Sequence, residues 1–573
     1  MDKLISNIVG GSNQLPNAKK VDDEISLNLY VENSVATEAS TDKFLRSLDG
    51  TKTLFDMNST ATASDCGCRG IAAVNATASG NAEIWGAFGG EFWRFRKDGT
   101  DTLAAAMKYP TGFPLYESVV RFADGGGIDS NLVAVCGKPY MYRITSKATV
   151  PEVHRVLLPK NPYKVNAAGE SQTICPTHVA SVGNRVIVND SGTSQLFISQ
   201  VGVFSGGADA TCWKYVFDAS GNIVYEADGF TPKYEQVSVD GTDPDTSNAF
   251  SDYYGAAEYQ TALSYTGDTI QSFAAINNNK LFVFGRRSFD VWTLNTNDDG
   301  YTLANTGMGS NIGIAAVQSL AQINDKLFWL GSGEEGQNGI WLSENAGTPK
   351  KISTPGIDRR IAAMSDTEDA IGIAYNFAGH TFYVISFPVA DKSLCYDYAT
   401  GYWHDRADLD LRTGRDTMWS PCFCAAAWGT EIFGAYTQKK LICNELGKYD
   451  DYRGVNIRRM RRSPVYLADY SPIRIDELKV VANSGSTAIL QPTTDGHETE
   501  GYNPTMMLAV SYDGTKYQAV DVARLGKAGH YSAECRFQNL GTGRYFVLEL
   551  SITDKVCVTL SDAKIRYSQL GRF

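Results

Sequence analysis

The chain has 573 residues, 43% apolar and 20% charged, which is too long for one compact core at roughly 150 residues per domain and too apolar to be disordered. A formal net charge of −12 argues against a protein that grips nucleic acid by neutralising phosphates, because such proteins usually carry a basic excess. An acidic surface still suits the wall of a conduit past which DNA must slide.

The first residues, Met1–Lys20, lack the uninterrupted apolar core of a signal peptide, and no run of about 18 apolar residues follows. Neither Sec-type export nor membrane insertion is expected. The 11 cysteines are scattered, with close pairs only at Cys66/Cys68 and Cys422/Cys424, which predicts reduced thiols in a protein made in the cytoplasm.

Short aromatic-rich runs separated by Gly, Asn, Asp and Ser dominate the chain, with 54 glycines available for tight turns. That texture predicts many short antiparallel strands. Helical periodicity is scarce, Ile357–Met364 being among the few plausible turns.

In chain order, hairpins are predicted at Ile84–Phe95, Leu132–Ile144, Val182–Val188 with Leu196–Ile198, Ile276–Trp292, Ile323–Trp341, Thr381–Ile385 with Leu394–Tyr398, and Ala425–Gly434. The clearest pair shares one grammar: Lys280-Leu-Phe-Val-Phe284 and Lys326-Leu-Phe-Trp-Leu330, each entered through an Asn-rich turn. Such hairpins at irregular spacings of roughly 45 to 60 residues read as propeller blades with insertions between them; a sandwich of aromatic hairpins is the competing architecture.

Residues 205–262 turn to Gly, Asp, Ser and Tyr without sustained apolar strands, as in a projecting insertion. After Tyr449 a basic stretch leads to longer alternating segments, Ile473–Val481 and Tyr545–Ile552, which predict a C-terminal β-sandwich. The expected fold is therefore all-β: an N-terminal arm and first strands over 1–60, a β-propeller with inserted loops over 61–450, and a C-terminal β-sandwich over 451–573.

Catalytic signatures such as His-Glu-x-x-His, Gly-x-x-x-x-Gly-Lys-Ser/Thr and Gly-x-Ser-x-Gly do not occur, and no enzyme activity is expected. The six histidines (His154, His178, His380, His404, His497, His530) lack ligand-like spacing, and the one-residue gaps of the cysteine pairs are shorter than those of zinc sites. No metal or cofactor is expected. Acidic clusters at Asn297–Gly300 and Asp408–Asp416 could supply carboxylates for calcium or glycoside hydrolysis, but turn chemistry accounts for them, as an Asp-Gly turn accounts for Ser511–Tyr517.

The sharpest local feature is Arg458, Arg459, Arg461 and Arg462, four guanidinium groups within a stretch of an acidic chain. Arginine forks suit carboxylates and phosphates. These residues read as a docking strand for an acidic neighbouring subunit, as a DNA contact, or as a salt-bridged strand between domains of the same chain.

The segments Ser26-Leu-Asn-Leu-Tyr-Val-Glu32, Phe44-Leu-Arg-Ser-Leu-Asp-Gly50 and Cys68-Arg-Gly-Ile71, with Ile276–Trp292 and the arginine-rich passage, resemble the tail-nozzle or hub (packaged-DNA stabilisation) proteins of short-tailed phages. Asp49 stands where that family often has proline. The resemblance implies a virion protein that forms a ring of six copies below the portal and its adaptor ring, extends and closes the DNA channel, and anchors tail fibres, spikes or a plug. Double-stranded DNA would pass through the lumen without specific binding. The alternative readings are a propeller that binds or processes glycans and an intracellular peptide-binding scaffold.

Overall fold

The computed structural model describes residues 2–5, 8–13, 24–33, 43–57, 67–74, 82–97, 103–110, 118–125, 132–144, 153–199, 211–215, 234–238, 258–277, 279–295, 303–333, 338–467, 472–483, 502–526 and 533–570. Within them the chain is nearly all β, with one α-helix, Pro355–Ala362, where helical periodicity is predicted. Thr354 caps it by accepting the Ile357 N–H, and Pro355 occupies its first turn, the residue types that helix starts favour.

Seven small antiparallel sheets follow one another along the chain. Their first strands are Cys68–Val74, Arg121–Asp124, Val179–Val182, Ser272–Ile276, Ala321–Ile323 (beside Gly313–Ile314), Ile371–Phe377 and Pro421–Ala427. Each of the seven hairpins expected from the sequence falls in a sheet of its own. Tight turns are set by residues at positive φ: Gly183–Asn184 (57° and 61°) and Ala378–Gly379 (51° and 86°) each join strands through two residues, as the right-handed twist of a hairpin requires.

Period-two alternation sends opposite faces of each sheet into two different cores. Leu281 and Val283 pack against the third sheet, whereas Phe282 and Phe284 pack against the fifth. In the fifth sheet Leu327 and Trp329 face the fourth, and Phe328 and Leu330 face the sixth. Coverage on both faces explains why these strands are continuous apolar runs rather than alternating ones. The same sharing joins the first sheet to the second, the second to the third, and the sixth to the seventh; Ile84, Phe88 and Phe95 of the first sheet also share a core with Ile432 and Leu441 of the seventh.

The outer strand of the seventh sheet comes from the far end of the chain: Gly50–Asp56 pairs with Lys440–Glu445. Gly50 is required there, because a Cβ would lie 2.0 Å from the carbonyl oxygen of Asp450.

Two larger sheets face each other across one further core. One contains Leu29–Asn33, Lys43–Ser47, Thr559–Gln569, Ile473–Asn483 and Ala533–Gln538; the other contains Ile25–Leu27, Arg459–Arg462, Tyr545–Ile552, Thr505–Ser511 and Gln518–Arg524. N-terminal strands thus take part in both. The second sheet continues into the sixth small sheet, where Leu27 pairs in parallel with Asp405. The projecting insertion expected over 205–262 lies mostly outside the described residues, apart from the hairpin of Thr211–Tyr215 with Tyr234–Ser238 and the strand Glu258–Thr261.

Candidate functional site: the arginine strand and a shared cavity

Arg459–Arg462 lies between Ile25–Leu27 and Tyr545–Ile552, which puts the basic run at the seam of the small and large sheets. Alternation along this strand divides its guanidinium groups. Arg459 and Arg461 are fully buried. Arg461 donates to the carbonyls of Ile8 (2.7 Å) and Gly11 (3.0 Å) and to Glu24 (2.7 Å), holding the N-terminal segment. Arg459 donates to the carbonyls of Asp554 and Tyr449, and burial pushes its pKa down to about 10.

Arg458 and Arg462 stand nearer the surface and meet Glu549 at 3.7 and 2.7 Å; Arg458 also meets Asp416 at 3.0 Å. The Arg462 guanidinium lies 4.3 Å from the ring centroid of Tyr517, a cation–π distance. All four side chains therefore engage groups of their own chain.

The carboxylates singled out in the sequence are dispersed. Asp410 and Asp513 accept hydrogen bonds from their own turns, including Thr413 (2.7 Å) and Thr515 (2.7 Å). Asp408 is buried beside Asp451 and Arg453 and accepts the Ser420 N–H at 3.0 Å. Burial, reinforced by the Asp451 carboxylate, raises its pKa to about 7. His380 bonds Asp397 at 2.8 Å, and His404 accepts from the Nε of Arg406 at 3.3 Å. Asn297–Gly300, Cys66, His497 and His530 lie outside the described residues.

A cavity of about 410 Å³ is lined by residues from or beside the first strand of every small sheet, among them Gly70, Arg121, His178, Ser272, Gln318, Gly372 and Phe423. Gly70 and Gly372 permit this convergence, because a Cβ would come within 2.0 Å of the Val120 oxygen and 2.1 Å of the Ser319 oxygen. Arg121, at the start of the second sheet, reaches Gln318, in the turn Val317–Ser319 between strands of the fifth, at 2.9 Å and the carbonyl of Thr177 at 2.8 Å. Burial pushes its pKa down to about 9.

Residues 242–434 match the family model described as Bacteriophage P22 Gp10, beta-propeller. The chain resembles the nozzle proteins of short-tailed phages. The matched span contains all of the fourth, fifth and sixth small sheets and the first hairpin of the seventh through Gly434. No curated protein matches the chain. Among solved structures, the computationally designed Ika8 protein aligns at 11% identity over 69% of this chain and 100% of its own, with a TM-score of 0.33, a value that carries no structural argument.

Three further residues carry the joints. Asn28 is held at the seam by hydrogen bonds to Ala407 and Arg458; its only sequence signal is a polar residue inside the apolar segment Leu27–Val31. Arg406 is buried with its guanidinium 4.5 Å from the Phe382 ring and 4.9 Å from Trp419, and it bonds Tyr375. Arg406 and Arg121 are single basic residues in strands, a pattern without a local signature.

Proposed function

We propose that this chain is a non-enzymatic structural protein of a phage tail nozzle. The match of residues 242–434 to the Gp10 β-propeller family carries the reading. In it, the seven small sheets are the blades of one closed propeller. The core shared by the seventh and first sheets supports this closure, as does the delivery of Gly50–Asp56 to the seventh sheet, since a last blade completed by a strand that precedes the first ties the ring shut. The two large sheets form a sandwich, and the arginine strand is the strut that holds it to the propeller.

Duplex DNA would run between copies of the chain and not through one copy. The shared cavity has a volume of only about 410 Å³ and is crossed by the hydrogen bond from Arg121 to Gln318, whereas a duplex has a major groove alone about 12 Å wide. A ring of copies, six in the simplest reading, would leave such a lumen, and an acidic chain would let DNA pass without gripping it. The portal–adaptor assembly above, and fibres, spikes or a plug around or below, would be its partners in the virion.

The test is the mass of the purified chain in solution, alone and mixed with a portal–adaptor complex. Ring formation, or incorporation into that complex, is expected. A monomer that ignores the complex would sink the proposal.

A further inference from the structure

The lining of the shared cavity includes a guanidinium, Arg121, and an imidazole, His178. Arg121 uses two of its N–H groups on Thr177 and Gln318, and no carboxylate among the described residues pairs with it. A guanidinium has five N–H donors and no acceptor, so further donors remain for a ligand.

His178 also lines the cavity. It is 2% exposed, and its Nε2 has no hydrogen-bond partner among the described residues. The surrounding network favours one tautomer. The Asn189 side-chain oxygen already accepts the N–H groups of Thr177 (3.1 Å) and His178 (2.9 Å), and the Asn189 amide donates to the Thr177 hydroxyl at 3.0 Å. The Thr177 hydroxyl lies 3.4 Å from Asn189 Oδ1 and 3.0 Å from His178 Nδ1; donated to the nearer nitrogen, its proton leaves the ring hydrogen on Nε2. A buried N–H without an acceptor has lost its hydration with nothing in exchange.

We propose that this cavity is a binding site for a small oxyanion, held by the guanidinium of Arg121 and the Nε2–H of His178. The ion supplies the negative charge that Arg121 lacks and the acceptor that His178 lacks. Because Arg121 belongs to the second sheet and His178 adjoins the third, the bound ion braces two sheets, and Arg121 ties them to Gln318 in the turn Val317–Ser319 of the fifth. This inference rests on the cavity alone and stands or falls separately from the nozzle reading.

The experiment is calorimetric titration of the full chain, in a buffer free of oxyanions, with inorganic phosphate and separately with acetate. Saturable binding of at least one is expected. A preference for phosphate identifies a free phosphoryl-type ion as the occupant, and a preference for acetate identifies a carboxylate. Arg121→Gln should weaken binding about tenfold or more, the loss of one charged hydrogen bond. Because that variant could misfold, the ¹⁵N resonance of His178 Nε2 in the unaltered chain is the second readout, and it should shift on saturation. Failure of both anions to bind at millimolar concentration, equal binding by a folded Arg121→Gln chain, or an unmoved His178 resonance at saturation would each overturn the assignment.

Discussion

The side chain of Asn28 donates to the carbonyl of Ala407 at 2.9 Å and accepts the Ala407 N–H at 3.1 Å, while its second amide hydrogen reaches the carbonyl of Arg458 at 2.8 Å. One side chain thus imitates a strand where the sixth small sheet, the N-terminal strands and the arginine strand meet. Its backbone is left-handed, at φ 52°, a conformation asparagine tolerates better than most residues.

Replacing Asn28 should separate these two contributions. Asn28→Ala loses three buried hydrogen bonds and adds a left-handed alanine, and it should destabilise the chain by about 2–4 kcal/mol. Asn28→Gly loses the same bonds without the steric term and should be milder by about 1 kcal/mol. Urea midpoints of the two variants check this; identical values would deny a backbone contribution.

Asp408 makes stability depend on pH in a specified direction. Its pKa rises from 3.8 to about 7 on folding, so between these values the folded chain binds more protons than the unfolded one. The contribution is fully present below the unfolded value and fades as pH rises through about 7. Asp408→Asn removes the titration but retains an acceptor for Ser420. Relative to the unaltered chain it should be more favourable at pH 8 than at pH 5, as read from denaturation midpoints; a constant difference would contradict the raised pKa.

The arginine strand should respond according to burial. Arg461→Met leaves Glu24 and two carbonyls without their buried donor and should cost about 3–5 kcal/mol, with faster proteolysis near residues 8–24. Arg536, half-exposed in its pair with Glu534, is the control; Arg536→Met should cost less than about 1 kcal/mol. If Arg461→Met is fully stable yet blocks assembly, the strand serves a neighbouring subunit and not its own chain.

Gly372→Ala tests the convergence around the shared cavity. Its Cβ would stand 2.1 Å from the Ser319 oxygen, a backbone atom that cannot rotate away. Overpacking of this kind costs about 1–3 kcal/mol, and a lowered melting temperature is the expected result. An unchanged melting temperature would mean that the fifth and sixth sheets separate easily.

By itself the sequence determined the strands, their hairpins and the concentration of positive charge. These are local properties: alternation in Lys280–Phe284 and Lys326–Leu330, turn residues such as Gly183–Asn184, and four arginines in one short stretch can be read without knowing what lies opposite. Only the tertiary structure decided which neighbour covers each face, that Gly50–Asp56 completes a sheet begun at Pro421, and that Arg461 pairs with Glu24 and donates to two N-terminal carbonyls. It also decided that Arg121 and His178 share a cavity. Those relationships join residues far apart in the chain, and a pattern that repeats every two residues says which side of a strand is apolar but not which distant segment will bury it.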